Sequence, residues 1–97
     1  MVVNKSATEF DWNKGNIGKN RKHKVNDKEA EEAFFDKKKK TFRDHVHSGV
    51  EERFLVIGKT KKKRLLFVVF TTRREKVRII SARDVNKKEV TLYTKTK

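Results

Sequence analysis

The chain has no cysteine, which excludes a disulfide scaffold and any thiolate metal site. It has no proline either, so no turn is fixed by a pyrrolidine ring and no cis X–Pro bond arises. No apolar run is long enough to span a bilayer. Residues 1–6 lack the apolar core of a signal peptide, so the expected location is the cytoplasm. A glycine-rich phosphate loop and a nucleophile elbow are also missing. No paired-carboxylate cluster suggests a two-metal nuclease.

Negative charge is scarce as well. Against 13 Asp and Glu stand 27 Lys and Arg, a formal charge of +14. A field of that sign favours polyanions and speeds encounter with them. Nucleic acid, an anionic membrane surface and an acidic protein partner can all answer it. Only 34% of the chain is apolar, but those residues are clustered, which argues against disorder. Ninety-seven residues make one domain, 1–97, with flexible ends expected at 1–7 and 94–97.

Alternation at 8–12 reads as a short strand with Phe10 and Trp12 facing the core. A first helix is expected over 13–23, although Gly15 and Gly18 weaken it. A second, over 26–35, has Asn26 and Glu29 in capping-box spacing and Val25 and Ala30 placed for a hydrophobic staple. Ala30, Ala33 and Phe34 give it one apolar face. Lys37 to Lys40 read as a solvated loop or a polyanion contact, followed by a loop over 41–50 with a short strand around Phe42. Strands are then expected over 53–57, 65–70 and 77–82. The second is apolar throughout, as a central strand would be. Short connections select antiparallel pairing. The tips at Lys61-Lys62-Lys63 and Arg73-Arg74-Glu75 lack the Gly or Asn of tight turns, so longer or irregular loops are expected. A closing helix is expected over 86–94, capped by Asn86 and Glu89. The fold class is therefore α+β: an antiparallel sheet of about four strands with two N-terminal helices and one C-terminal helix.

Metal-independent RNA cleavage needs a base for the 2′-hydroxyl, an acid for the leaving 5′-oxygen and cations for the charge that builds at phosphorus. His23 has the right chemistry for acid or base, and equally ends a helix where a cation is favoured. Glu51 and Glu52 offer a base, or simply pair with nearby cations. Arg53, Arg78 and Arg83 can grip phosphate in bidentate fashion. Strict alternation would put Arg78 and Arg83 on opposite sheet faces, so the strand must bulge or end before Arg83 if both serve one site; the turn residues Asp84 and Asn86 favour an end. His45 and His47 share strand spacing, but too few ligands accompany them for a metal site, and no cofactor is expected. Trp12, Phe42 and Tyr93 are candidate platforms for unstacked bases, while Phe67 and Phe70 read as core.

Phe10-Asp11-Trp12, Asn20, Lys22-His23, Glu29-Ala30, Phe34-Phe35-Asp36, His47-Ser48, Glu51-Glu52-Arg53, Ile57-Gly58, Arg64-Leu65, Arg78-Ile79-Ile80-Ser81-Ala82-Arg83, and Glu89 with Tyr93 follow one another in an order that resembles the BrnT family of bacterial toxins. The resemblance runs from Phe10 to Tyr93. It implies a RelE-like fold, ribonuclease activity that blocks translation, and a BrnA-like antitoxin that covers the toxin and binds operator DNA. Taken with the chemistry of the residues, the expected catalytic residues are His23, Glu52, Arg53, Arg78 and Arg83, with Glu52 or His23 in proton transfer. Lys22, His47, Lys62, Lys63 and Arg64 are the expected RNA contacts. This chain departs from the pattern at Lys24, Lys62 and Lys63, which stand where the family has glycines, at Val90, which stands for an Arg, and in a stretch before His23 that is one residue short. Two other readings remain open: a basic RNA- or ribosome-binding module without catalysis, and a protein-interaction module that docks an acidic partner.

Overall fold

A computed structural model describes residues 9–44 and 51–95. It is an α+β fold, with the order 3-10 helix (Lys19–His23), α1 (Asp27–Phe34), β1 (Lys40–Arg43), β2 (Phe54–Lys59), β3 (Leu65–Arg73), β4 (Lys76–Asp84) and α2 (Lys87–Thr94). The four strands form one antiparallel sheet in the order β1-β2-β3-β4. The apolar run of β3 is interior, as its composition requires. None of the described helices is long and apolar enough to cross a membrane.

One sheet face carries the core. Val56 and Gly58 of β2, Leu66, Val68 and Phe70 of β3, and Val77, Ile79 and Ala82 of β4 point to it. Ala30, Ala33 and Phe34 of α1 cover them, with Val25 sealing the helix start. The Asn26 side chain accepts from the Glu29 N–H at 2.8 Å and the Glu29 carboxylate accepts from the Asn26 N–H at 3.1 Å, so the expected capping box is present. Phe10, Phe35 and Phe70 meet Phe34 edge to face, with centroids 4.8 to 6.3 Å apart. Gly58 is required by this packing: a Cβ there would lie 2.0 Å from the Ala33 carbonyl oxygen.

Four expectations need correction. The strand over 8–12 reduces to one parallel bridge between Phe10 and Val77, and the first helix reduces to turns over 13–18 followed by the 3-10 helix. The physical reason is the free edge of β4. Asn16 donates to the Ile79 carbonyl at 3.1 Å, and Asn20 accepts from the Ala82 N–H at 2.9 Å. These buried asparagines satisfy strand groups that a regular helix over 13–23 would leave bare. Lys40, expected in a loop, opens edge strand β1. The tip between β3 and β4 is a two-residue turn, not a longer loop: Arg74 and Glu75 both take the left-handed conformation, φ 52° and 67°. The tip between β2 and β3 does run longer, with Lys63 at φ 69° and Thr60 and Arg64 closing it through a 2.8 Å backbone bond.

Candidate functional site

The second sheet face is where the candidate residues gather. β4 does not end before Arg83. It bulges: the register with β3 shifts between Val69 and Phe70, so that Val69 faces Ser81 while Phe70 faces Ile79. The extra residue flips the alternation. Arg78, Ser81 and Arg83 thereby come to one face, beside Leu55, Phe67, Val69 and Thr71. The end expected before Arg83 is thus replaced by a bulge at Ile80, and β4 runs on to Asp84.

Arg78 is the most enclosed of these cations, with its side chain 12% exposed. Its Nη2 donates to Asn13 Oδ1 at 3.2 Å, and its Nη1 stands 3.6 Å from the Asp11 carboxylate. Nη1 is buried and makes no hydrogen bond. Gly15 makes room for the guanidinium, since a Cβ there would come within 2.7 Å of Nη2. A buried guanidinium nitrogen without a hydrogen bond is costly to keep, which makes Arg78 a candidate for a functional role.

Around it lie Glu51, Arg53 and Arg73. Glu51 takes both Arg73 Nε and Nη2, the latter at 3.0 Å. That hydrogen-bonded guanidinium holds the Glu51 carboxyl below the usual range, and the charges of Arg53 and Arg78 add to the pull. Glu51 therefore stays ionised at neutral pH and cannot act as an acid there. Glu52 is exposed and paired with Arg43 at 2.9 Å, while its carbonyl accepts from the Thr71 hydroxyl at 2.6 Å. Both glutamates thus pair with arginines, as the plainer reading of them required.

The other end of β3 holds the remaining candidates. His23 ends the 3-10 helix, exposed, and its carbonyl accepts from Arg64 Nη2 at 3.4 Å. Arg64 is fully engaged in the fold: it clamps Asp84 (2.7 and 3.0 Å), Glu29 (3.3 Å) and the Lys24 carbonyl (2.7 Å). Lys22, Lys62 and Lys63 are exposed near this end. His23 and Glu52 are therefore separated by most of β3, about 20 Å at 3.3 Å per residue. Arg83 lies between, in a two-pronged pair with Glu89 (2.9 and 2.8 Å) and 4.1 Å above the Phe67 ring. His45 and His47 fall outside the described residues.

Over Ile80 and Ser81, which lie between Arg78 and Arg83 in the sequence of β4, the face opens into a groove of about 360 Å³, floored by Leu55, Phe67, Val69 and Ile80. Phe67, expected in the core, lies on this face instead. A second cavity, of about 380 Å³, mixes Lys28, Lys59 and Lys61 with Glu31, Glu32 and Asp36, a charge balance unsuited to a polyanion. Of the expected platforms, Trp12 packs on the core and donates to Glu31 at 2.6 Å, Tyr93 donates to Asp36 at 2.5 Å, and Phe42 is 39% exposed on the edge strand. Among the described residues, no three His, Cys, Asp or Glu side chains cluster closely enough to hold a metal ion.

Reading the residues alone missed Asp11, Asn13 and Arg73. The first two were visible only as companions of Phe10 and Trp12, and Arg73 only as part of a turn.

Fold and face together define a small basic α+β domain with arginines spread over one side of its sheet. The family model described as "Ribonuclease toxin, BrnT, of type II toxin-antitoxin system" matches residues 12–89, most of the chain, and the chain belongs to that family. No curated protein matches it.

Proposed function

We propose that this chain cleaves single-stranded RNA without a metal ion, and so blocks translation, by holding the scissile phosphate against Arg78 on the open face of the sheet. The observation that carries the reading is the enclosed Arg78 guanidinium, with one nitrogen short of a hydrogen-bond partner. Arg53 and Arg73 add charge where the phosphorane-like transition state would build it. Glu52 is the base of this scheme, because it lies at the same end of β3 as Arg78. It takes the 2′-hydroxyl proton, the 2′-oxygen attacks phosphorus, and the P–O5′ bond breaks as the 5′-oxygen takes a proton from water, while Glu52 returns its proton to solvent. The products are a 2′,3′-cyclic phosphate and a 5′-hydroxyl. Arg83 borders the same face, and the strand continues toward His23, Lys22, Lys62, Lys63 and Arg64. His47 is a further RNA contact of the proposal.

Membership of a type II toxin–antitoxin family implies an antitoxin partner and an RNA substrate. We take the partner to be BrnA-like and to bind operator DNA, with both acting in the cytoplasm.

The test is a labelled RNA incubated in EDTA with wild type and with Arg78→Ala. Wild type is expected to cut and leave cyclic-phosphate ends, and Arg78→Ala to lose about 100-fold in rate or more. An intact RNA with the wild type would sink the reading. A second reading, RNA binding without cleavage, draws on one observation: the acid and base candidates His23 and Glu52 stand at opposite ends of β3. It predicts tight, salt-sensitive binding and no products.

A further inference from the structure

We infer that the groove between Arg78 and Arg83 is a nucleobase subsite, which seats one unstacked base of single-stranded RNA next to the phosphate held by Arg78. The inference rests on the proposed RNA reading and deepens it.

Four features carry it. The floor is made by Leu55, Phe67, Val69 and Ile80, all half-exposed on an otherwise charged face. A contiguous apolar floor rimmed by polar groups marks a ligand groove, and the Arg83 guanidinium over the Phe67 ring closes one end of it. The rim is not a phosphate site, because Asp44 stands there with Arg53. A carboxylate repels phosphate, but the edge of a base presents both donors and acceptors. The groove also lies in the path of the backbone: of the four residues between Arg78 and Arg83 along β4, Ile80 and Ser81 line it. The β3 partners of those arginines, Thr71 and Phe67, are four residues apart, about 13 Å at the strand rise. A base seated between them would have its own phosphate at the Arg78 end. Finally, the bulge is what puts Ser81 on the groove and Arg83 beside it. Without the extra residue, Ile80 would sit on the same face as Arg78 but Arg83 would turn to the core side.

A phosphate grip alone is blind to sequence, so this subsite would supply the base preference of the enzyme. Ser81 is the place to block it. It lies on the groove and away from the core, so a larger side chain fills the space without overpacking the interior.

The experiment measures affinity for a short 2′-O-methyl RNA, which cannot be cleaved by 2′-oxygen attack, and for the same oligomer made abasic. Wild type is expected to bind the intact oligomer about tenfold more tightly than the abasic one, as one base stacked on an apolar platform requires. Ser81→Trp is expected to lose that ratio while keeping its affinity for the abasic oligomer and an unchanged melting curve. Equal affinity of wild type for the two oligomers, or an undiminished ratio in Ser81→Trp, would overturn the subsite and leave the groove to an apolar side chain of a protein partner. Failure to bind either oligomer would overturn the subsite and the RNA reading together. Cleavage plays no part in the readout, so an inactive wild type does not affect it.

Discussion

Gly58 shows how much one missing methyl group can matter. The α1 backbone at Ala33 rests directly on β2, and no side chain fits between them. Gly58→Ala is expected to destabilise the fold by about 3 kcal/mol or more, read from denaturant midpoints, because backbone rather than a flexible side chain must move. Asp36 and Tyr93 show a different kind of dependence. Burial alone would raise the Asp36 carboxyl, yet bonds from the Tyr93 hydroxyl and from the Lys38 and Lys59 N–H groups hold it below its ordinary value. Burial, together with that carboxylate, pushes Tyr93 from 10.0 up to about 12. The folded chain therefore favours neutral tyrosine. Its contribution is complete below pH 10 and is lost as pH rises toward 12. Tyr93→Phe should abolish that alkaline loss and cost about 1.5 kcal/mol at neutral pH, measured by thermal melts across the range. Asp36, Asp84 and Glu89 have the opposite sign: their pKa values are lowered, so their contribution is present above the ordinary carboxylate range and fades in acid.

At the scale of elements, the hairpin between β3 and β4 is made against local preference. Arg74 and Glu75 hold positive φ at both central positions, the backbone that Asn-Gly adopts with least strain. Replacing them by Asn and Gly should stabilise the protein by about 1 kcal/mol and raise Tm by roughly 4–8 °C in a melting scan. The same logic applies to Lys24 and Lys63, also left-handed, which stand where the family resemblance places glycines. Both capping boxes, Asn26 with Glu29 and Asn86 with Glu89, were legible because they rest on a spacing of three residues. The tight hairpin was not legible, because its residues carry no turn preference and the pairing of two nine-residue strands imposes it. Nor was the loss of the first helix, because Asn16 and Asn20 bond to β4, 63 and 62 residues along the chain.

For the whole molecule, charge sets the expectation. A formal +14 on 97 residues will draw RNA from a distance, and dissolved salt will compete with it. If Arg53, Arg73 and Arg78 each neutralise one phosphate of a single strand, the slope of log affinity against log salt should be near −2, at about 0.7 per contact. Filter binding between 50 and 200 mM salt measures it. A slope near zero would mean that the basic face does not meet RNA backbone. Not all the positive charge is freely available: Arg64 and Arg83 are held by Glu29, Asp84 and Glu89 within the fold, and phosphate must compete with Glu51 for Arg73. The recurrence of Arg64 and Arg83 in the BrnT pattern has a structural explanation of its own.

By itself, the sequence determined the fold class, the antiparallel run of β2, β3 and β4, the central β3, the α1 core face and the family, because those depend on periodicity, spacing and order along the chain. The tertiary structure alone decided which cations share a face. One inserted residue opposite Val69 and Phe70 brings Arg78 and Arg83 together, and strand pairing sets His23 and Glu52 at opposite ends of β3. Register is a property of two strands at once, so no reading of one of them could have supplied it.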